Sequence, residues 1–127
     1  MAEVNSAIFP GTVAAANVED AMDRTPAPIS LAAARALPWK PGRSAEAFVD
    51  GEMEIRFTPR PTNGPQVPHR RDEVYVVAAG TGFYRAEDRL TAVGPGDLCF
   101  AAAHAAHGFE DFTDDFAIWV IFYGPQK

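Results

Sequence analysis

The chain reads as an all-β protein, an antiparallel barrel or sandwich preceded by short helical segments. Two observations carry this reading. From about Ala47 onward, apolar residues come in short runs separated by Gly, Pro, Asn and Asp, the pattern of consecutive strands joined by tight turns. No helical pattern of any length interrupts them. At 127 residues the chain suits one domain, which at this size buries roughly two thirds of its unfolded surface.

The elements follow in order. Residues 1–28 are irregular apart from Val13 to Met22, where the alanines permit a helix. Thr25-Pro26-Ala27-Pro28 breaks that stretch. Ser30 is placed to N-cap a short helix over Leu31 to Leu37, and Pro38 stops it. Met53, Ile55 and Phe57 alternate with Glu54 and Arg56, giving a strand with one apolar and one polar face. A proline-rich loop, Pro59 to Pro68, leads into strands over Glu73 to Ala79, Gly82 to Ala86, Arg89 to Val93 and Asp97 to Ala101. The final strand, Phe116 to Tyr123, is apolar on both faces, so protein must cover both. Gly124-Pro125 ends it.

A formal net charge of −6 argues against nucleic acid as a partner, because phosphate backbones need a concentrated positive surface. Local basic groups, Arg56, Arg60, Arg70 and Arg71, are still suited to attracting a small anion. No apolar run reaches the ~20 residues that span a bilayer, and the start, Met1 to Asn5, has no basic region followed by an apolar one. A cytoplasmic location with no membrane partner is the expectation. The single Cys99, between Leu98 and Phe100, permits no intrachain disulfide and reads as a small buried hydrophobe. Glu110 to Asp115 reads as a solvated turn, since its acidic residues lack the spacing of a calcium loop.

The three histidines fall in two short segments. His69 precedes Glu73 by four positions at the entrance to a strand, and His104 and His107 follow the strand that starts near Asp97. Two imidazoles and a carboxylate, from His69, Glu73 and His107, can hold one divalent ion and leave coordination positions open, as catalytic metal sites do. Alternation puts Tyr75 and Val77 on the face of Glu73, and Phe109 on that of His107. The cavity so built is expected to be walled by Val67, Tyr75, Phe109, Phe57, Phe100 and Trp119 and to take a small-molecule ligand. Without a metal, the same histidines and Glu73 read as hydrogen-bonding pocket residues, or Glu73 as the ion-pair partner of Arg70 or Arg71.

These two segments resemble the paired motifs of the cupin superfamily. Its first motif is a Gly, five residues, His-x-His, three or four residues, Glu, six residues, Gly. His69, Glu73 and Gly80 match at the right spacing, whereas Val67 stands where the first His belongs and Pro61 where the leading Gly belongs. The second motif is a Gly, five residues, Pro-x-Gly, two residues, His, three residues, Asn. Gly96 and His107 match, with Ala102, His104 and Asp111 at the Pro, Gly and Asn positions. The resemblance covers about residues 45–124 and implies a cupin-like jelly roll over residues 45–127. Residues 1–44 then form an N-terminal arm that packs on the barrel or on a partner, and a homodimer is implied.

By this resemblance the chain is expected to be a small single-domain enzyme holding iron, manganese, zinc or nickel and performing dioxygenation, isomerisation or lyase chemistry on a small oxygenated molecule. A metal-free binding module or sensor is the alternative. A third is a metal-free isomerase with His69 or His107 as base and Tyr75 as acid. His104, three residues from His107 at a turn, is expected to aim away from the ligands.

Overall fold

The computed structural model describes residues 11–127, with side chains from Val18 onward. Two helices, α1 (Gly11–Arg24) and α2 (Leu31–Arg35), precede nine strands. The strands are β1 (Ala45–Asp50), β2 (Met53–Thr58), β3 (Gly64–Pro65), β4 (Asp72–Ala79) and β5 (Gly82–Ala86), then β6 (Arg89–Val93), β7 (Leu98–Ala101), β8 (His107–Glu110) and β9 (Ala117–Tyr123). The helical pattern expected over Val13 to Met22 extends from Gly11 to Arg24, and Ser30 caps α2 by accepting from the Ala33 amide at 3.0 Å.

The strands make two antiparallel sheets, ordered β1-β2-β9-β4-β7 and β3-β8-β5-β6. They are not closed into a barrel; they face one another as a jelly-roll sandwich. The core between them contains Tyr75, Val77, Tyr84, Cys99, Phe109, Phe116, Ile118 and Val120, all buried. Phe109 is the hub, its ring centroid 5.1 Å from those of both Tyr75 and Tyr84 and 5.4 Å from that of Phe116. Such aromatic pairs add about 1 kcal/mol each beyond area burial.

β9 sits in the middle of the five-stranded sheet, which explains why it is apolar on both faces. Ile118, Val120 and Phe122 turn toward the second sheet. Ala117 and Trp119 turn outward, where Phe57 of β2 and Ala34 and Ile29 of the α2 region complete a smaller apolar layer. Two strands lie outside those expected, β1 and the two-residue β3, whereas the shared face expected of His107 and Phe109 is that of β8, where both are buried. The pairing of β3 with β8 needs a glycine: a Cβ on Gly108 would strike the carbonyl of Gly64.

Gly80 turns the chain from β4 to β5 at φ +75°, and a Cβ there would lie 2.6 Å from the Phe116 backbone. Gly80→Ala combines a left-handed backbone with a clash that no side-chain rotation relieves. It is expected to destabilise the fold by about 3 kcal/mol, read from the urea midpoint of unfolding.

Candidate metal centre and cavity

Glu73 is reached from three directions. It lies on β4, flanked in register by Phe122 of β9 and Ala101 of β7. His107 opens β8 on the opposite sheet and points at it across the sandwich. His69 comes from the extended loop before β4, its ring standing edge-on to Phe122 with centroids 5.4 Å apart. The ligating atoms of His69, Glu73 and His107 all lie within 4.8 Å of one another. Both Glu73 and His107 are almost fully buried, and His69 is partly exposed.

The hydrogen bonds fix the chemistry of each group. His107 Nδ1 is 2.9 Å from the Ala105 carbonyl oxygen, which can only accept, so Nδ1 carries the hydrogen and Nε2 faces the interior. Nε2 then meets the Tyr75 hydroxyl at 2.8 Å and Glu73 Oε1 at 3.2 Å. Tyr75 donates to Glu73 Oε2 at 3.0 Å. Burial, and then the neighbouring Glu73 charge, push the Tyr75 hydroxyl well above its usual pKa, so it serves as a donor throughout the physiological range. Burial pulls His107 down, but its bonds to Glu73 and Ala105 outweigh that and leave its pKa raised.

Glu73 Oε1 is the one buried side-chain polar atom among the described residues with no hydrogen-bond partner. It faces His107 Nε2 at 3.2 Å and His69 Nε2 at 3.4 Å. An unprotonated imidazole nitrogen and a carboxylate oxygen repel, and a buried orphan oxygen costs about 1–3 kcal/mol, so a cation belongs between them. Donors that each lie ~2.1 Å from one ion stand roughly 3–3.5 Å apart, as Glu73 Oε1 does from each imidazole nitrogen, and all three donors lie within 4.8 Å of one another. The residues present therefore fit a divalent transition metal; a protonated His107 is the alternative cation.

The cluster borders an open cavity of about 630 Å³ between the sheets. Val67 lines its mouth, 82% exposed, and Tyr75 its interior. Phe109 is buried beneath Tyr75 in the core. Phe109 is therefore one of four residues expected in the cavity wall that lie elsewhere, with Phe57, Trp119 and Phe100. Phe57 and Trp119 pack edge-to-face at 5.0 Å on the outer side of the five-stranded sheet. Phe100 pairs with Val74 on that same outer side and is 56% exposed. The face of β2 that looks into the cavity is the polar one, Glu54, Arg56 and Thr58, because an open cavity is wetted while the arm covers the apolar face. Alternation separated the two faces but carried no sign of which was inside.

His104 is not in the cluster; its Nε2 binds the Lys127 carbonyl at 2.8 Å. Its φ of +70° preserves the left-handed turn that a Gly would otherwise supply at this point of the second motif. Asp111, at the Asn position, is likewise left-handed at φ +52°. Arg70 and Arg71 leave Glu73 alone, and Arg71 pairs with Glu54 at 3.2 Å. Cys99 is buried, and burial lifts its thiol to about 11, which makes it inert. Glu110 is bound by Arg85 at 2.8 Å, and Thr113 holds Asp115 at 2.7 Å.

No family model matches the chain. An uncharacterized protein of Streptomyces coelicolor is 32% identical over 66 residues, 52% of this chain and 63% of that protein, so the likeness spans under two thirds of the relative. Among solved structures, a protein of unknown function from Rhizobium leguminosarum aligns with a TM-score of 0.65 over 80% of this chain and 99% of its own, at 12% identity. KdgF from a Halomonas species aligns at 0.55 over 68% and 84%, with 21% identity. A cupin protein from Bacteroides fragilis aligns at 0.52 over 68% and 80%, with 14% identity. Two facing antiparallel sheets with a His/Glu/His cluster between them are what the chain presents, and its fold is that of these cupin-type structures. No helix among the described residues is long and apolar enough to cross a membrane.

Tyr75→Phe strips Glu73 Oε2 of its donor and leaves a buried carboxylate less satisfied. The metal-free protein is expected to lose about 2 kcal/mol of stability, checked by urea denaturation in the presence of a chelator.

Proposed function

We propose that the chain is a metal-dependent cupin-fold protein, with His69, Glu73 and His107 holding a divalent transition ion beside a cavity that receives a small oxygenated organic molecule. The observation that carries this reading is the orphaned Glu73 Oε1 facing two imidazole nitrogens in a buried corner. Iron, manganese, zinc and nickel all suit two imidazoles and a carboxylate. When bound, such an ion supplies Lewis acidity toward a substrate oxygen. The chain's own residues do the rest. The Ala105 carbonyl fixes the tautomer of His107, as partners outside a metal shell commonly do. Tyr75 presents a hydroxyl within hydrogen-bond reach of both Glu73 and His107, where it can orient a ligand oxygen or donate to it. The reaction type belongs to the same proposal: dioxygenation, isomerisation or elimination.

A metal-free binding module is the second reading, favoured by Val67 in place of the first motif histidine and by the closed Tyr75, His107 and Glu73 hydrogen bonds. We further propose that residues 45–127 form the cupin-like unit, with Gly42, Arg43 and Ser44 at the end of the arm completing the cavity wall. The arm, residues 1–44, would then pack on it or on the partner of a homodimer in the cytoplasm. Residues 1–10 of that arm lie outside the described residues.

Metal titration by calorimetry separates the two readings. His69→Ala, Glu73→Gln and His107→Ala are each expected to weaken uptake of zinc or manganese at least tenfold, and Arg70→Ala to leave it unchanged. Equal uptake by all of them would leave the metal-free pocket as the reading. Uptake should also fall as the pH drops through the usual imidazole value of ~6.5, because protonated imidazole cannot ligate, and the raised His107 pKa makes the loss begin at higher pH. Val67→His is expected to tighten uptake by supplying a fourth ligand at the cavity mouth; unchanged affinity would show that residue 67 stands too far from the ion.

A further inference from the structure

On the reading that the cavity receives a small molecule, we infer that its ligand is an organic carboxylate, with the acid group held at Arg56 and the opposite end at the Glu73 corner. Register sets the geometry. Arg56 pairs with Val120, which pairs with Tyr75; in the next row Glu54 pairs with Phe122, which pairs with Glu73. With strands about 4.8 Å apart, Arg56 and Tyr75 stand about 10 Å apart on one inner face. Ile118, Val120 and Phe122 form an apolar floor between them. A cationic group at one end, a polar corner at the other and hydrocarbon between describe a short-chain acid.

Charge supports the same end. Glu54 is shared by two guanidinium groups, its Oε2 at 2.6 Å from Arg56 and its Oε1 at 3.2 Å from Arg71. All three side chains are largely buried, between 21% and 27% exposed, so one negative charge faces two positive ones where water screens poorly. Glu46 stands 4.0 Å from Arg56 but is 64% exposed and offsets little. The other contacts of Arg56 are neutral: Nε donates to Ser44 Oγ at 2.7 Å and Nη2 to the Ser44 carbonyl at 2.7 Å. Of the five N–H donors of a guanidinium, three are engaged among the described residues, leaving one on each terminal nitrogen for the two oxygens of a carboxylate. Arg43 and Arg60 line the same cavity. Arg43 forms no ion pair among the described residues, and the partner of Arg60, Asp114, is 95% exposed. The cavity of this acidic protein is thus lined by three arginines, Arg43, Arg56 and Arg60.

Hexanoate and hexanamide, alike in shape and different in charge, are the probes, titrated by amide chemical-shift mapping with and without added zinc. Hexanoate is expected to bind about tenfold tighter or better, with shifts concentrated on residues 54–58 and 118–122. Arg56→Met should abolish that preference. Arg89→Gln, which removes the same charge from β6 of the other sheet, should keep it. If Arg56→Met does not fold, Arg43→Gln decides the matter, since its loop position is exposed; it should cut the preference severalfold. Equal affinity for acid and amide, a preference that survives these two cavity substitutions, or no binding of either probe at millimolar concentration would overturn the inference. Zinc uptake measured on the same samples keeps the two readings apart. Uptake without acid preference sinks the carboxylate alone, and acid preference without uptake sinks the metal alone.

Discussion

A carboxylate placed between two β-sheets constrains everything around it. Glu73 is 2% exposed, and an ionised carboxyl in such a place is stable only if hydrogen bonds or a cation replace the water it lost. One oxygen is served by Tyr75 from its own strand, and the other looks to His107 on the opposite sheet and His69 on the preceding loop. The contact with His107 joins β4 of one sheet to β8 of the other. The spacing of the sheets at this end, the tautomer of His107 and the direction of the loop carrying His69 must all agree with it. Removing Glu73 costs little charge energy by itself. Removing one of its partners leaves an uncompensated charge inside, the more damaging event.

Glycine geometry is the second constraint, and it explains how the chain departs from the family pattern while keeping the fold. β8 delivers His107 while paired with β5 on one side and β3 on the other, and Gly108 lets the Gly64 carbonyl approach. The turn before His107 needs a left-handed residue, and His104 accepts φ +70° with its ring secured on the Lys127 carbonyl. A histidine in that role costs roughly 1 kcal/mol of backbone preference over glycine, and the ring's hydrogen bond offsets part of it. His104 is therefore explained as a turn residue, and the spacing to His107 that suggests a metal pair has a conformational cause.

Much of the site was legible in the sequence because it depends on local spacing. His69 to Glu73 is four positions on one strand entrance, and the alternation of Glu73, Tyr75 and Val77 follows from β geometry alone. The parity of β7 was equally local, but its meaning required knowing that Tyr75 pairs with Cys99, which sends Phe100 outward with Val74. For β2 and β9 the pattern separated two faces without saying which was inside. The premise that apolar means interior puts Phe57 and Trp119 in the cavity, yet this sheet has two covered faces. The more apolar cover is the arm, contributed by Ala34 and Ile29, whose docking no strand pattern encodes. Nothing local in the sequence pairs Glu54 with both Arg56 and Arg71, since Arg71 arrives from the far side of β9.

The placement of polar groups on the inner face of β2 changes how the cavity should be understood. A sandwich interior lined by Glu54, Arg56 and Thr58 cannot be closed by packing, because collapse would strand a guanidinium without water. The cavity therefore stays open on this side, while Val77, Phe109 and Phe116 are fully buried in the core. Stability is concentrated in that core. The open cavity carries charges whose partners are only partly supplied by the chain itself, Glu73 Oε1 on one side and the surplus cation of the Arg56, Glu54 and Arg71 group on the other. Opposite deficits at the two ends of one inner face are what a ligand bearing both an oxygen donor and a negative charge would satisfy together, each end recovering part of the desolvation cost that folding left unmet.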